Sequence, residues 1–350
     1  MGADAIIKPA AIVIQTAFLG DLVLSTPVIK ALSSSYRVFV IARPFALELL
    51  KNFPGVVVIP FDKDNKFLGS FFFVISKIRK LKAELLVSLH LSASSSILSS
   101  LSNARYKVGF EESVFSFVYD RKVKKYHKRG SKIIKLLDGR HEKERLLCIL
   151  KDLNVNFNAD EEMTLFITED EKREAEKLID KQTVCFAPFS VWKTKSWPRW
   201  KEFIEMADRE NIKLAVLGAG RGRGEQILFS HNSNISNLQG IGLRKTMSVI
   251  SICRAFVGVD TGLSHIASAF NVPTITIFGP TTPEFGFYPE GATVVQRNGL
   301  PCRPCSLHGP KVCPLKHHRC MGEIEPHEIF EIVKSRKTHT PSANANTPLS

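Results

Sequence analysis

The chain has 350 residues, of which 44% are hydrophobic, 23% charged and 9% aromatic. This composition excludes a disordered chain, a collagen and a coiled coil, and the length is enough for two domains of about 150 residues each. Lysine and arginine outnumber aspartate and glutamate by 48 to 34, a net charge of +14, which predicts an anionic partner such as nucleic acid, acidic lipid or a phosphorylated substrate.

The sequence indicates a cytoplasmic protein. No apolar run approaches the roughly 20 residues that a transmembrane helix needs. The first apolar segment runs into Gly20-Asp21 without a small-residue cleavage site, which is unlike a signal peptide. Seven cysteines, an odd number, are typical of a reducing compartment and not of a disulfide framework.

Short runs rich in valine and isoleucine alternate with segments of helical length in the first third of the chain. The predicted strands are AAIVIQT, RVFVIA, VVVIPF, ELLVSLH and YKVGF, with helices predicted over 21–33, 45–52, 70–81 and 94–101. This alternation is the pattern of βαβ units, which build a parallel sheet with helices on both faces.

The same alternation restarts after an acidic connector near residues 160 to 180. The predicted strands there are TVCFAPF, IKLAVLGA, AFVGVD and PTITIFGP, with helices predicted over 200–209, 225–229, 244–251 and 263–270. We therefore expect an α/β protein of two doubly wound, Rossmann-like domains, over residues 1–170 and 171–325, that face a central cleft. A last helix over 326–336 is expected to pack back on the N-terminal domain, and the polar residues 337–350 to form a disordered tail.

Candidate chemistry lies in the turns after the predicted strands, because ligands of open α/β sheets bind at the carboxyl ends of the strands. The first such turn places Asp21 at a helix start, where it caps the helix or acts on a ligand. This turn lacks the G-x-G-x-x-G fingerprint, which argues against a dinucleotide enzyme. In the second domain Lys195 lies in a loop after a strand, either solvated or placed to meet a phosphate, and Glu225 follows a turn rich in glycine and arginine.

The segment VGVDTGLSHIASAF is the most informative part of the chain. It predicts a buried strand that ends at Asp260 and a helix that begins near Gly262. The amides of Thr261, Gly262 and Leu263 would then lie at a helix N-terminus, which favours anions. His265 lies close by in sequence, as a ligand-facing residue or as a core histidine.

Four cysteines near the C-terminus have the spacing C-x2-C-x7-C-x6-C. They are Cys302, Cys305, Cys313 and Cys320. Such spacing is typical of a structural zinc site, and the alternative is free thiols in a covering loop.

The chain resembles glycosyltransferase family 9, the ADP-heptose:lipopolysaccharide heptosyltransferases, most closely the heptosyltransferase II type. The resemblance covers roughly residues 10 to 335, in the strings FLGDLVLSTPVIKAL, NARYKVGF, HEKERLLCILKDLNV, KSWPRWKEF and VDTGLSHIASAFNVPTITIFGPTTP. It implies a GT-B fold and an inverting, metal-independent transfer of heptose from ADP-L-glycero-D-manno-heptose to the lipid A–Kdo–heptose inner core. Such an enzyme requires no cofactor, so zinc at the cysteines would be structural.

The resemblance also implies roles for single residues. Asp21 matches the family's catalytic base, and Lys195 matches the lysine that pairs with the leaving diphosphate. Asp260 would hold hydroxyls of the donor sugar, His265 would close the same site, and Glu225 is a weaker match to a ribose ligand. The helix amides at residues 261–263 would help to bind the diphosphate.

A basic stretch from Arg121 to Arg145 holds 11 Lys and Arg against three acidic residues. By itself it is a solvated helix face or a disordered loop. The resemblance implies that the N-terminal domain receives the acceptor, so Arg121, Lys122, Lys124 and Lys125 are expected to bind the acceptor and the anionic surface of the inner membrane. Nucleic acid is not expected, because the stretch holds a single aromatic residue. The alternatives are another nucleotide sugar or acceptor within the family, or a Rossmann-type oxidoreductase or epimerase.

Overall fold

The computed structural model of the chain describes residues 8–65, 67–127, 130–131, 135–158, 160–219 and 234–336. The chain divides into two compact units. One consists of the described residues before 130 together with those of Arg140–Phe166, and the other of the described residues from Ile167 to 336 together with those of Gly130–Gly139. The division after Phe166 lies close to the domain boundary expected at residue 170.

The first unit is built on a parallel sheet of six strands. Its strands are β1 (Ala10–Ile14), β2 (Arg37–Ala42), β3 (Val56–Pro60), β4 (Leu85–Ser88), β5 (Tyr106–Phe110) and β6 (Arg121–Val123). Its helices are α1 (Leu19–Leu24), α2 (Thr26–Ser35), α3 (Ala46–Leu49), α4 (Phe67–Leu81), α5 (Ala93–Leu101) and α6 (Glu142–Leu147). The strand order β3-β2-β1-β4-β5-β6 is that of a Rossmann sheet.

The second unit repeats this plan. Its strands are β7 (Val184–Ala187), β8 (Leu214–Val216), β9 (Ile235–Asn237), β10 (Ala255–Val259), β11 (Thr274–Phe278) and β12 (Thr293–Gln296). Its helices are α7 (Glu169–Glu176), α8 (Trp200–Arg209), α9 (Leu243–Ile252), α10 (Gly262–Ala269), α11 (Arg319–Gly322) and α12 (Pro326–Ser335). The order β9-β8-β7-β10-β11-β12 has the same pattern as the first sheet. The expected fold, two doubly wound parallel-sheet domains of the GT-B kind, is confirmed.

The central strands are apolar throughout because helices cover both faces of a parallel sheet. In β1 the residues from Ala11 to Ile14 are fully buried, and in β10 every residue from Ala255 to Val259 is buried. The sequence pattern located these strands for that reason. The strands that it missed, β6, β9 and β12, lie at sheet edges and are only partly buried, so their sequences RKV, ISN and TVVQ have no unbroken apolar run.

The acidic connector contains a helix that the sequence reading did not identify. Thr168 caps α7 by accepting a hydrogen bond from the Glu171 amide, and the Glu171 carboxylate accepts one from the Thr168 amide. This is a capping box, a threonine followed three residues later by a glutamate. Glu171 also pairs with Arg244 of α9 at 2.6 Å, which holds α7 in the second unit.

The C-terminal helix α12 packs within the second unit, and its expected packing on the N-terminal domain stays a prediction. Ile329, Phe330 and Val333 of α12 belong to the core of the second unit, and the Phe330 ring meets that of Phe203 in α8. The Arg254 guanidinium donates a hydrogen bond to the Val333 carbonyl at 2.9 Å. The apolar face of the helix is therefore buried in the core of the second unit.

Two other expectations lie outside the described residues. They are the helix over 225–229 and the disordered tail over 337–350. Among the residues that are described, we find no helix with the length and apolar content to cross a membrane.

Two glycines of the first unit should respond to alanine in opposite directions. A Cβ at Gly109 in β5 would overlap the ring of Tyr119, whereas a Cβ at Gly69 in α4 meets nothing within 4 Å. We expect Gly109→Ala to lower the free energy of unfolding by about 1–3 kcal/mol. Gly69→Ala should raise it by roughly 0.5–1 kcal/mol, because alanine favours the helix. Urea denaturation compares the two, and equal effects would contradict the packing described at Gly109.

Candidate active site

Asp21 lies beyond the carboxyl end of β1, in the first turn of α1. Its carboxylate accepts a hydrogen bond from the Phe18 amide at 3.2 Å, which ties the side chain to the start of the helix. The side chain is partly buried. Helix capping therefore accounts for one oxygen of this carboxylate, and the expectation that Asp21 lies at the first strand-to-helix turn is met by its position.

The pKa of the Asp21 carboxyl is raised to about 6. Burial is the main cause, and the negative charge of Glu142 adds to it. The charge of Lys125 and the Phe18 amide act in the opposite direction. A carboxyl that loses its proton near pH 6 is ionised at neutral pH, and it is a better proton acceptor than an ordinary aspartate.

A buried ionic cluster lies near Asp21. Lys125 is 5% exposed, and its ammonium pairs with Glu142 at 2.6 Å. Arg145, fully buried, donates to the other Glu142 oxygen at 3.3 Å and lies over the Tyr126 ring. Burial, the largest single effect, lowers the pKa of Lys125. The charges of Glu142, Tyr126 and Asp21 and the hydrogen bond to Glu142 together outweigh it, so the pKa of Lys125 is raised. Because Lys125 is closely paired with Glu142, its charge offsets only part of the effect of burial on Asp21.

The cluster changes the interpretation of the basic stretch. Of the four residues expected to bind the acceptor, Lys122 and Lys124 are exposed, and Arg121 pairs with Asp152 at 2.7 Å. Lys125 is buried and paired inside the fold. The described residues of the stretch are therefore not a uniformly solvated face, since part of them forms the edge strand β6 and part forms this ionic cluster.

Three further polar residues lie just beyond strands of the first sheet, and the sequence reading did not single them out. Arg43 follows β2 and pairs with Asp64 at 2.8 Å. Lys63 follows β3, and its pKa is lowered to about 8 by burial and by the charge of Arg43. His90 follows β4, with its Nδ1 2.8 Å from the hydroxyl of Thr16. The signal that could have identified them is their place directly after predicted strands.

In the second unit Lys195, Asp260 and Thr281 form one hydrogen-bonded group. The Lys195 ammonium lies 2.6 Å from Oδ2 of Asp260, and the Thr281 hydroxyl donates to the same oxygen at 2.8 Å. The three residues follow β7, β10 and β11, which are neighbours in the sheet. Thr281, in the loop after β11, thus holds Asp260 together with Lys195.

The helix α10 begins directly after Asp260. Thr261 is its N-cap residue, and the Thr261 side chain forms no cap hydrogen bond. The first-turn amides at Gly262 and Leu263 therefore have no side-chain cap, and they lie at the carboxyl edge of the second sheet because the helix follows β10. His265 is buried in the same helix. The structure therefore brings Lys195 and Asp260 together beside a helix N-terminus. Glu225 lies outside the described residues.

The cysteine-rich segment supports these loops. The Arg303 guanidinium donates to the carbonyl of Thr281 at 2.9 Å and to that of Gly279, and the Cys305 amide donates to the Pro280 carbonyl at 2.8 Å. His318 Nε2 lies 2.7 Å from the carbonyl of Thr194, next to Lys195. The segment thus fixes the loop after β11 and the turn that carries Lys195.

All seven cysteines are free thiols. Among the described residues, no three His, Cys, Asp or Glu side chains are grouped in a way that could hold a metal ion. Burial raises the pKa of the Cys320 thiol to about 11. The residues as placed do not fit a metal, and zinc at these cysteines stays a prediction from their spacing.

The comparisons with known proteins agree with one another. The sequence model of glycosyltransferase family 9 (heptosyltransferase) matches residues 74–315. Lipooligosaccharide heptosyltransferase 2 of Campylobacter jejuni is 23% identical over 335 residues, which cover 92% of this chain and 97% of that protein. The fold is similar to that of the Escherichia coli ADP-heptose lps heptosyltransferase II, with a TM-score of 0.72, 20% identity and coverage of 93% and 98% of the two chains. It is also similar to E. coli heptosyltransferase WaaC with ADP, with a TM-score of 0.71, 16% identity and coverage of 93% and 99%.

Because the pKa of Asp21 is raised, replacing its carboxyl by an uncharged amide is expected to stabilise the folded protein at neutral pH. The folded pKa of about 6 lies above the ordinary aspartate value of 3.8. The stability that the proton on Asp21 contributes is therefore lost as the pH rises from about 4 through 6. We expect Asp21→Asn to raise the free energy of unfolding by about 1–3 kcal/mol at pH 7.5 and by only about 0.5 kcal/mol near pH 4.

Urea denaturation of the wild type and of Asp21→Asn at pH 7.5 and near pH 4 measures this change in the free energy of unfolding. Asp152→Asn is the control, because Asp152 is exposed and its pairing with Arg121 is at the surface. A destabilised Asp21→Asn protein at pH 7.5 would contradict the assigned pKa.

Proposed function

The chain belongs to glycosyltransferase family 9 and is therefore a transferase, and from that premise we propose that it is a lipopolysaccharide heptosyltransferase of the heptosyltransferase II type. In this proposal it takes heptose from ADP-L-glycero-D-manno-heptose and adds it to the lipid A–Kdo–heptose inner core. The anomeric configuration of the donor is inverted.

The observation that carries the proposal is the Asp21 carboxyl, held at the carboxyl end of β1 with a pKa of about 6. Direct transfer needs a base for the acceptor hydroxyl, because an alcohol is a weak nucleophile until its proton is taken. Asp21 is ionised at neutral pH and is held by the Phe18 amide at the start of α1.

The proposed reaction is a single displacement. An acceptor hydroxyl attacks the anomeric carbon of the donor from the side opposite the diphosphate, and its proton passes to Asp21. A carbon–oxygen bond to the acceptor forms as the carbon–oxygen bond to the diphosphate breaks, and ADP leaves with the electron pair. One displacement inverts the anomeric centre. No metal is needed in this scheme, since fixed cations and amides take up the charge of the leaving group.

The donor site is proposed at Lys195 and the N-terminus of α10. The Lys195 ammonium lies 2.6 Å from Asp260. When the donor binds, this ammonium would leave Asp260 and pair with the diphosphate. The amides of Thr261, Gly262 and Leu263 would bind the same diphosphate. The E. coli relative described with ADP supports an adenine nucleotide as the donor's leaving group.

The remaining donor contacts are proposed from the resemblance and the placement of the residues. Asp260, freed from Lys195 and still held by Thr281, would accept hydrogen bonds from hydroxyls of the heptose. His265 would close the site from α10, and Glu225 would bind the ribose.

The acceptor is proposed to bind at the carboxyl edge of the first sheet, where Asp21 lies. Arg43 and Lys63, which follow the neighbouring strands β2 and β3, supply cations for a phosphorylated saccharide at that edge. The exposed Lys122 and Lys124 are the members of the basic stretch that remain available to an anion. Because this acceptor is carried on a lipid, we place the reaction at the cytoplasmic surface of the inner membrane.

A transfer assay with ADP-heptose and a purified inner-core acceptor tests the proposal. We expect Asp21→Asn to lower kcat roughly 100- to 10,000-fold, because the amide cannot take the proton. Wild-type kcat/KM should rise with pH and level off above about pH 6, where the Asp21 carboxyl is ionised. Transfer by the wild type with unchanged turnover in Asp21→Asn would remove the base assignment, and no transfer by the wild type would refute the proposed function.

Lys195 and Lys193 form a matched pair for the donor site. Both lie in the same short turn, but Lys195 is buried against Asp260 and Lys193 is exposed. We expect Lys195→Ala to lower kcat/KM about 100- to 1,000-fold, because a charge that stabilises the leaving group is lost. ADP binding, measured by calorimetry, should weaken as well. Lys193→Ala should change neither quantity more than about twofold, and equal losses in both variants would contradict the donor site.

A further inference from the structure

The helix α4 has an unusual distribution of apolar and charged residues. Its sequence, FLGSFFFVISKIRKL, contains no acidic residue. Val74 and Ile78 on its inner face are fully buried in the first unit. The rings of Phe67 and Phe71 stack with centroids 5.6 Å apart and both contact Phe61, so the core side of the helix is already filled.

The outer face of α4 is apolar in its first two turns. Leu68 is 68% exposed, Phe72 66% and Phe73 48%. Their spacing places Phe72 and Phe73 on the side of the helix opposite Val74 and Ile78, with Leu68 one turn before Phe72 at the margin of that side. Single exposed apolar residues are ordinary, but three large ones on one helical face form a patch that marks a site of interaction.

The same outer face is cationic in its last two turns. Lys77, Arg79 and Lys80 are exposed there, and Lys82 follows directly after the helix. The Lys77 ammonium lies 5.5 Å from the centre of the Phe73 ring, where the two halves of the face meet. An aromatic, apolar half beside a purely cationic half is the composition of helices that lie in the interface of an anionic bilayer.

We propose that α4 seats the first unit on an anionic phospholipid bilayer, with Leu68 and Phe72 entering the acyl boundary and the basic half contacting lipid phosphates. The absence of acidic residues from α4 argues against a second copy of the chain as the occupant. A symmetric contact would place the same cations against each other, and like charges in such a contact repel.

The position of α4 relative to Asp21 fits a lipid-linked acceptor, and this step rests on the proposed function. The helix begins seven residues after the end of β3, at the carboxyl edge of the first sheet. β3 lies two strands from β1, about 10 Å at the usual spacing of strands. A bilayer that holds α4 would therefore present the saccharide of its lipid at the edge where Asp21 lies.

Flotation of the full-length chain with vesicles tests the lipid assignment directly. The vesicles are phosphatidylcholine alone or phosphatidylcholine with phosphatidylglycerol, and they contain no acceptor. We expect the wild type to bind the anionic vesicles at least about tenfold more strongly than the neutral ones. The double variant Leu68→Ser, Phe72→Ser should lower the partition coefficient about 10- to 100-fold. Lys77→Gln, Lys80→Gln should lower it about tenfold.

The matched control is Val312→Ser, Leu315→Ser in the second unit, where the two side chains are 73% and 59% exposed. It should bind vesicles as the wild type does. Thermal unfolding of each variant verifies that it is folded. In a separate measurement, Phe72→Trp keeps a large apolar side chain at this position, and a blue shift of its fluorescence on adding anionic vesicles would report insertion of that side chain into the bilayer.

Three results would overturn the proposal. They are no vesicle binding by the wild type, equal binding to neutral and anionic vesicles, and unchanged binding by Leu68→Ser, Phe72→Ser. Sedimentation would identify a dimer that this variant abolishes, which would assign the face to a second copy instead. Because the vesicles carry no saccharide, binding is measured independently of heptosyl transfer, and loss of transfer alone would refute only the proposed function.

Discussion

The parallel pairing of strands is the constraint on which both candidate sites depend. In the first sheet Ile14 of β1 is in register with Ile41 of β2 and Ser88 of β4, so the turns after these strands come out at one edge. In the second sheet Gly258 of β10 is in register with Ala187 of β7 and Thr276 of β11. Residues far apart in sequence thus meet without any local signal that links them. The chemistry of each unit is concentrated at one edge because every strand points the same way.

The two units balance their charges differently at these edges. Lys195 and Asp260 neutralise each other, and a bound diphosphate would compete for the lysine. Near Asp21 the balance is less complete, since Glu142 already pairs with Lys125 and the carboxyl is buried as well. An aspartate in such surroundings reduces the stability of the fold, and it gains the proton affinity that a base requires. Stability and proposed activity therefore conflict at this residue.

The sequence predicted what depends on local pattern and missed what depends on distant partners. The strands β1 and β10 were readable because burial on both faces leaves unbroken apolar runs. The burial of Lys125 was not readable, because its partner Glu142 lies 17 residues away and is placed by the fold. The packing of α12 depended likewise on contacts with α8, whose sequence does not show which helix it will receive. The helix α7 was missed although its signal is local, because a search for apolar periodicity does not detect a capping box.

Net charge predicts an anionic partner only through the cations that reach solvent. Within the basic stretch Lys125 and Arg145 are buried around Glu142 and contribute to the fold, so their charges attract nothing from outside. The cations of α4 form no such cluster, because the helix holds no acid and its outer face is exposed. The short run of cations in α4, which includes no acidic residue, is therefore a better candidate for binding an anionic partner than the longer basic stretch, part of whose charge is paired inside the fold. The charge of +14 indicates a binding surface only after each cation has been assigned to the fold or to solvent.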